Sequence, residues 1–222
     1  MGLERLFEKI SYLCSAIQKK ISYDVKINRD LIIQKAFEQY LQLGYSAVSV
    51  SVLQKKLDIG RASMYYYFST KESLFEAVMR RYVLDIMDAA FRPLLSNKEL
   101  TVGKLADAFV DMYQTMYNNV QSVNPTLGMN SLSSLILYAM TNDAEFADTI
   151  YVRNRQSYRL WIDAINNSIA KGELPATTNV EATAILLSSV RNSFEYVGLQ
   201  QLDGTIQYRQ AYDYLLKLIS RA

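Results

Sequence analysis

The chain has 222 residues, of which 50% are hydrophobic and 21% charged, the profile of a globular protein with one large domain or two small ones. It holds one cysteine, Cys14, and no histidine, which excludes an intrachain disulfide, thiolate metal clusters, most zinc sites and catalysis by Ser-His-Asp or Cys-His groupings. The formal net charge of +2 is unevenly spread, with 12 Lys/Arg against 8 Asp/Glu in residues 1–80 and 12 against 14 in residues 81–222, so a mildly basic head on a mildly acidic body suits a nucleic-acid contact confined to one end.

The glycines form neither a dinucleotide nor a phosphate loop, and no cofactor or metal is expected. No run of about 18 apolar residues indicates a membrane helix. Met1 to Lys20 carry Glu4 and Glu8 among apolar positions, unlike a secretory signal. A cytoplasmic protein with no membrane partner is therefore expected.

In chain order, residues 3–22 place Leu3, Leu6, Phe7, Ile10, Leu13, Ile17 and Ile21 at three- and four-residue steps, one apolar stripe of an amphipathic helix. This extension, residues 1–25, packs on the following domain or on a partner helix. Alternatively Lys19, Lys20 and Lys26 reach the DNA backbone or minor groove. A helix over 29–43 turns Ile32, Ile33, Ala36, Phe37, Tyr40 and Leu41 to one face and ends at Gly44, a residue free to take positive φ. Short helices follow at about 49–56 and 60–67. A long one runs from about 70 to 92 and stops before Pro93. Further helices are expected at about 101–121, 126–140, 143–171, 180–200 and 205–220, with Pro125 and Pro175 at their breaks. No strand alternation persists, so the chain reads as all-α.

The stretch Ser49 to Phe68 has the design of a helix-turn-helix. Ser49 caps the first short helix, and Val50, Leu53 and Leu57 form its inner face. Ile59 plugs a turn of about four residues, Leu57 to Gly60. The second short helix begins near Gly60 and sends Met64 and Phe68 to the core. In this motif the second helix enters the major groove with its N-terminal residues on base edges.

Ile32 to Leu74 resembles the DNA-binding domain of the TetR family. The resemblance rests on Gly44-Tyr45, Val48-Ser49-Val50, Met64-Tyr65-Tyr66-Tyr67-Phe68 and Thr70-Lys71-Glu72-Ser73-Leu74 in unbroken register. Departures are Val48 for the family's Thr, Asp58 for its turn glycine, Gly60 for its Ser and Ala62 for its Gly. Asp58 is a type that tolerates the left-handed conformation, so the turn is expected to survive. The resemblance implies that Ser49, Tyr65, Tyr67 and Lys71 touch phosphates. Gly60 opens the recognition helix, and Arg61, Ser63 and Tyr66 face the groove, Arg61 suited to bidentate reading of guanine.

The resemblance further implies an N-terminal three-helix DNA-binding domain over residues 26–72, preceded by the extra helix, and a helical-bundle effector-binding and dimerisation domain over 73–222. Double-stranded operator DNA, a small-molecule effector and a second copy of the chain are the implied partners. The last two helices would pair in a homodimer, with Leu187, Val190, Phe194, Tyr212 and Leu215 as candidate interface residues. Met112, Tyr113, Met116, Tyr117, Met129, Tyr138, Tyr158 and Trp161 suit an adaptable effector pocket and equally an ordinary core. The implied function is a repressor released from DNA by its effector. The alternatives are a helical enzyme or carrier, which the missing histidines and cofactor loops disfavour, and a helix-turn-helix activator or DNA organiser without an effector.

Overall fold

The computed structural model describes residues 28–196 and 204–220, and describes Arg61, 191–196 and 204–207 by backbone alone. The expected helix over 3–22, with Lys19, Lys20 and Lys26, lies outside the described residues. Among the described residues there are helices and connecting turns and no strand.

Helix α1, Arg29–Leu43, starts where the Asn28 side chain accepts the Leu31 N–H at 2.8 Å, satisfying one of the donors every helix start leaves open. It stops at Gly44, whose φ of +76° only glycine adopts cheaply. Helix α2, Val50–Leu57, is capped by the Ser49 hydroxyl, which accepts the Val52 N–H at 3.3 Å. Asp58 follows with φ +52°, so the left-handed turn residue is tolerated as expected. Helix α3, Arg61–Tyr67, begins at Gly60 without a side-chain cap.

Helix α4 spans 71–91. Thr70 and Ser73 close a reciprocal capping box at its start. Its α-helical parts, Lys71–Met79 and Asp85–Phe91, are joined by a π turn, Arg80–Leu84, and Pro93 ends it in a 3₁₀ turn. The body continues with α5 (Val102–Val123), α6 (Met129–Asn142), α7 (Ala144–Ala170), α8 (Val180–Tyr196) and α9 (Gly204–Ile219).

One continuous apolar core runs from Ile32, Phe37 and Leu53 in the head to Trp161, Leu187 and Tyr212 in the body. The expected domain boundary at 72/73 falls within the first turn of α4, so the two units share a helix rather than a linker. Phe37 stacks on Tyr82 with ring centres 3.6 Å apart, and Arg81 pairs with Asp30 at 3.1 Å, tying α1 to the middle of α4. Further along α4, Asp88 takes two hydrogen bonds from Arg153 of α7, at 2.8 and 2.9 Å. The paired guanidinium holds the Asp88 carboxyl below the usual carboxylate range. Helix α4 is thus pinned to the head at one end and to the body at the other.

Candidate nucleic-acid interface

The α2–turn–α3 unit is built from a buried wedge. Leu53, Met64 and Phe68 are 0, 2 and 5% exposed, and Val50, Leu57 and Ile59 pack half-buried against the core. These contacts fix α3 from behind. Its outer side then carries what the core rejects: Ser63 is exposed, Tyr65 is 41% exposed and Tyr66 83%. Tyr67 is half-buried, and Tyr66 meets it edge-on at 5.0 Å. Gly60 is exposed, and a side chain there would meet nothing within 4 Å. Ser49 is exposed as well, its hydroxyl shared between the cap and Ser51 at 2.7 Å. The side chain of Arg61 lies outside the described residues.

Lys71 has a different setting from the one its position in the motif suggests. Its ammonium donates to the Tyr45 carbonyl at 2.7 Å and stands 3.8 Å from the centre of the Tyr45 ring. Partial burial lowers its pKa, with Glu72 acting in the opposite sense. The Tyr45 hydroxyl in turn donates to Glu72 at 3.0 Å. The Glu72 carboxyl is held below its usual range first by backbone N–H at the helix start and then by this hydroxyl. Sequence reasoning named Lys71 but gave no role to Tyr45 or Glu72. The only available signal was their place inside the Gly-Tyr and Lys-Glu pieces of the motif.

Residues 32–78 match the pattern of the family described as bacterial regulatory proteins, tetR family. The head of the chain is thus a DNA-binding domain of that family. The chain is a DNA-binding transcriptional regulator, and the regulators it is similar to are not enzymes. The transcriptional repressor KstR2 of Mycolicibacterium smegmatis is 23% identical over 154 residues, 69% of this chain and 70% of that protein. The repressor ComR of Escherichia coli is 25% identical over 186 residues, 80% of this chain and 86% of its own length. The fold is shared with a transcriptional regulator from Saccharomonospora viridis solved with choline, at TM-score 0.61 and 14% identity, covering 85% of this chain and 95% of that one.

In the body the residues expected at an effector pocket fall into three places. Met112, Tyr113, Met116, Met129 and Trp161 are at most 4% exposed, with Tyr113 and Tyr117 stacked along α5. Trp161 lies 5.3 Å from Phe109 in parallel stacking and 5.7 Å from Tyr212. Its buried indole N–H has no acceptor. Tyr158 instead lies on an open groove along the outer side of α7, with Asp148, Tyr151, Asn154, Arg155 and Arg159. Tyr138 stands at the junction of body and head, 4.6 Å from Tyr45 and 5.8 Å from Phe75.

The residues expected at a dimer interface also divide. Leu187, Val190 and Tyr212 are 0, 8 and 0% exposed within a single subunit. Their own chain already covers them, so they have almost no surface left for a partner. Leu215 is half-buried, and the Phe194 side chain lies outside the described residues. Among the described side chains of α8 and α9, the large apolar residues left uncovered are Ile185, Leu186, Tyr214 and Leu218. Among the described residues no group of three His, Cys, Asp or Glu is placed to hold a metal ion, and no helix is long and apolar enough to cross a membrane.

Proposed function

We propose that this chain is a homodimeric repressor that grips operator DNA with α2 and α3 and is released by a small molecule bound in the helical body. The observation that carries the reading is the outward display of Ser63, Tyr65 and Tyr66 on a helix locked from behind by Met64 and Phe68. A tyrosine 83% exposed gains little within the subunit, whereas its ring and hydroxyl are ready partners for bases and phosphates. In this assignment Gly60, Arg61, Ser63 and Tyr66 face the groove, while Ser49, Tyr65, Tyr67 and Lys71 contact the backbone. The head comprises residues 26–72 and the body 73–222, with 1–25 as an extension.

Dimerisation supplies the geometry that a lone head lacks. Two recognition helices must be held one DNA turn apart, about 34–36 Å, or a multiple of it. The uncovered Ile185, Leu186, Tyr214 and Leu218 form the apolar surface best suited to that pairing. Repression, rather than activation, is supported by the named roles of KstR2 and ComR.

Binding of an effector is supported by the choline held by the Saccharomonospora viridis regulator and by the unpaired Trp161 N–H within an aromatic cluster. The open groove on α7 offers two tyrosines and two arginines as polar anchors. The effector acts by binding the released conformation better than the DNA-bound one, typically by about 1–3 kcal/mol.

Fluorescence anisotropy with duplex DNA from upstream of the gene, at two salt concentrations, tests this reading alongside size-exclusion chromatography. Tight, salt-dependent binding by a dimer is expected. Absence of duplex binding at any salt refutes it.

A further inference from the structure

The Tyr45 ring makes two close face contacts. The Lys71 ammonium is 3.8 Å from its centre, and the Tyr138 ring is stacked 4.6 Å away at 30°. The ring is thus packed between a cation of the head and an aromatic ring of the body. Phe75 packs against both rings, 4.5 Å from Tyr45 at a tilt of 55° and 5.8 Å from Tyr138. Tyr138 belongs to α6 of the body, whereas Tyr45 and Lys71 flank the helix-turn-helix. Helix α6 also sends Met129, Leu132 and Leu135 into the body core, so a rearrangement of that core moves Tyr138.

We infer that Tyr138 is a positioning residue for DNA binding: through Tyr45 it clamps the Lys71 ammonium inside the protein and withholds it from DNA phosphate. This deepens the regulator reading proposed above and rests on it. The chemistry is a competition for one cation. On Tyr45 the ammonium has a carbonyl acceptor and an electron-rich ring face. On DNA it would have an anionic oxygen instead. Stacking by Tyr138 keeps the Tyr45 ring in the place where it holds the ammonium. Displacement of α6 loosens Tyr45, breaks its hydroxyl bond to Glu72, and frees Lys71 to reach outward. The body thereby sets the availability of one phosphate contact without touching DNA.

The test is a double-mutant cycle read by duplex binding, with the full chain. Tyr138→Leu is expected to tighten binding about two- to fivefold, the fold-change equivalent to a cation–ring contact of ~0.5–1 kcal/mol. Tyr138→Phe, which keeps the stacked ring, is expected to restore the wild-type Kd. In a Lys71→Ala background the Tyr138→Leu change is expected to have no effect on Kd. Unchanged or weaker binding by Tyr138→Leu, or an equal shift with Lys71 absent, overturns the clamp and leaves Tyr138 as packing. If Tyr138→Leu does not fold, Tyr138→Met carries the same expectations with more of the volume retained.

NMR separates failure of the clamp from failure of the regulator reading. The Lys71 ε-methylene protons should be ring-current shifted upfield by Tyr45 and should move toward ordinary lysine values in Tyr138→Leu. If the wild type binds no duplex, the regulator reading fails on its own, and this shift still decides the clamp. Movement supports it, and an unmoved resonance overturns it.

Discussion

Replacing Asp88 by alanine tests whether the body really holds α4. The carboxylate accepts two hydrogen bonds from Arg153, at 2.8 and 2.9 Å, and the side chains are 29 and 18% exposed. Exposed pairs are worth about 0–1 kcal/mol. Removing one member of a fully buried pair costs about 3–5 kcal/mol. This pair sits between those limits, so a loss of about 2 kcal/mol is expected, a fall in Tm of roughly 4–8 °C for a chain of this size. The orphaned guanidinium accounts for part of that loss, so Arg153→Ala added to Asp88→Ala should cost less than it does alone.

The pH dependence of this pair has a definite sign. Arg153 depresses the folded-state pKa of Asp88. Its contribution is therefore complete above the unfolded value near 3.9 and fades as pH falls through the lower folded value. The Tm gap between wild type and Asp88→Ala should accordingly be constant at neutral pH and close only on the acid side of about pH 4. Calorimetry across pH 3–8 reads both effects. A Tm change within about 1 °C at neutral pH, or strict additivity of the two single changes, would refute the reasoning.

Three other substitutions probe the rest of the assignment. Tyr66→Ala should leave Tm within about 1 °C, because the ring is 83% exposed, while operator binding weakens about tenfold, ~1.4 kcal/mol; an unchanged Kd by anisotropy removes Tyr66 from the interface. Ser49→Ala should cost about 1 kcal/mol through the lost cap on α2, read as a lowered midpoint in urea with an unchanged slope. Ile185→Asp should yield a folded monomer by light scattering, because the residue is 56% exposed, whereas Leu187→Asp, at 0% exposed, should abolish folding. A folded dimer from Ile185→Asp would mean that the subunits pair elsewhere.

The helices were readable because their ends are written in local chemistry. Gly44 with its positive φ, the Asn28 and Ser49 caps, the left-handed Asp58 and the 3₁₀ turn at Pro93 all act within a few residues of chain. The helix-turn-helix was readable for the same reason, since Leu53, Met64 and Phe68 form its wedge within 16 residues. What the sequence concealed depends on partners far along the chain. In α8 the run Ile185-Leu186-Leu187 is apolar on every side, and periodicity cannot say which side the subunit itself covers. Only the packing of α7 and α9 turns Leu187 inward and leaves its two neighbours exposed. The hydrogen bond from the Lys71 ammonium to the Tyr45 carbonyl, 26 residues earlier, likewise has no local signal. Tyr138 looked like a pocket residue by composition, and the fold sets it against the head.

The π turn in α4 makes the helix a keyed shaft. Before it, Leu74, Val78 and Met79 are buried; within it, Val83 and Leu84; after it, Met87 and Phe91. The step from Val78 to Val83 is five residues, which a regular α-helix of 3.6 residues per turn would carry off the buried side and which one i→i+5 turn brings back. The extra residue is thus absorbed inside the turn, and the head half and body half of α4 keep one buried side. Deleting one residue between Arg80 and Leu84 would restore regular hydrogen bonding and leave the rest nearly in phase, since four α-helical residues turn about as far as the five of the π turn. A deletion elsewhere in α4 has no such turn to absorb it and would rotate everything beyond it by about 100°, swinging Asp88 away from Arg153 and Phe91 out of the core.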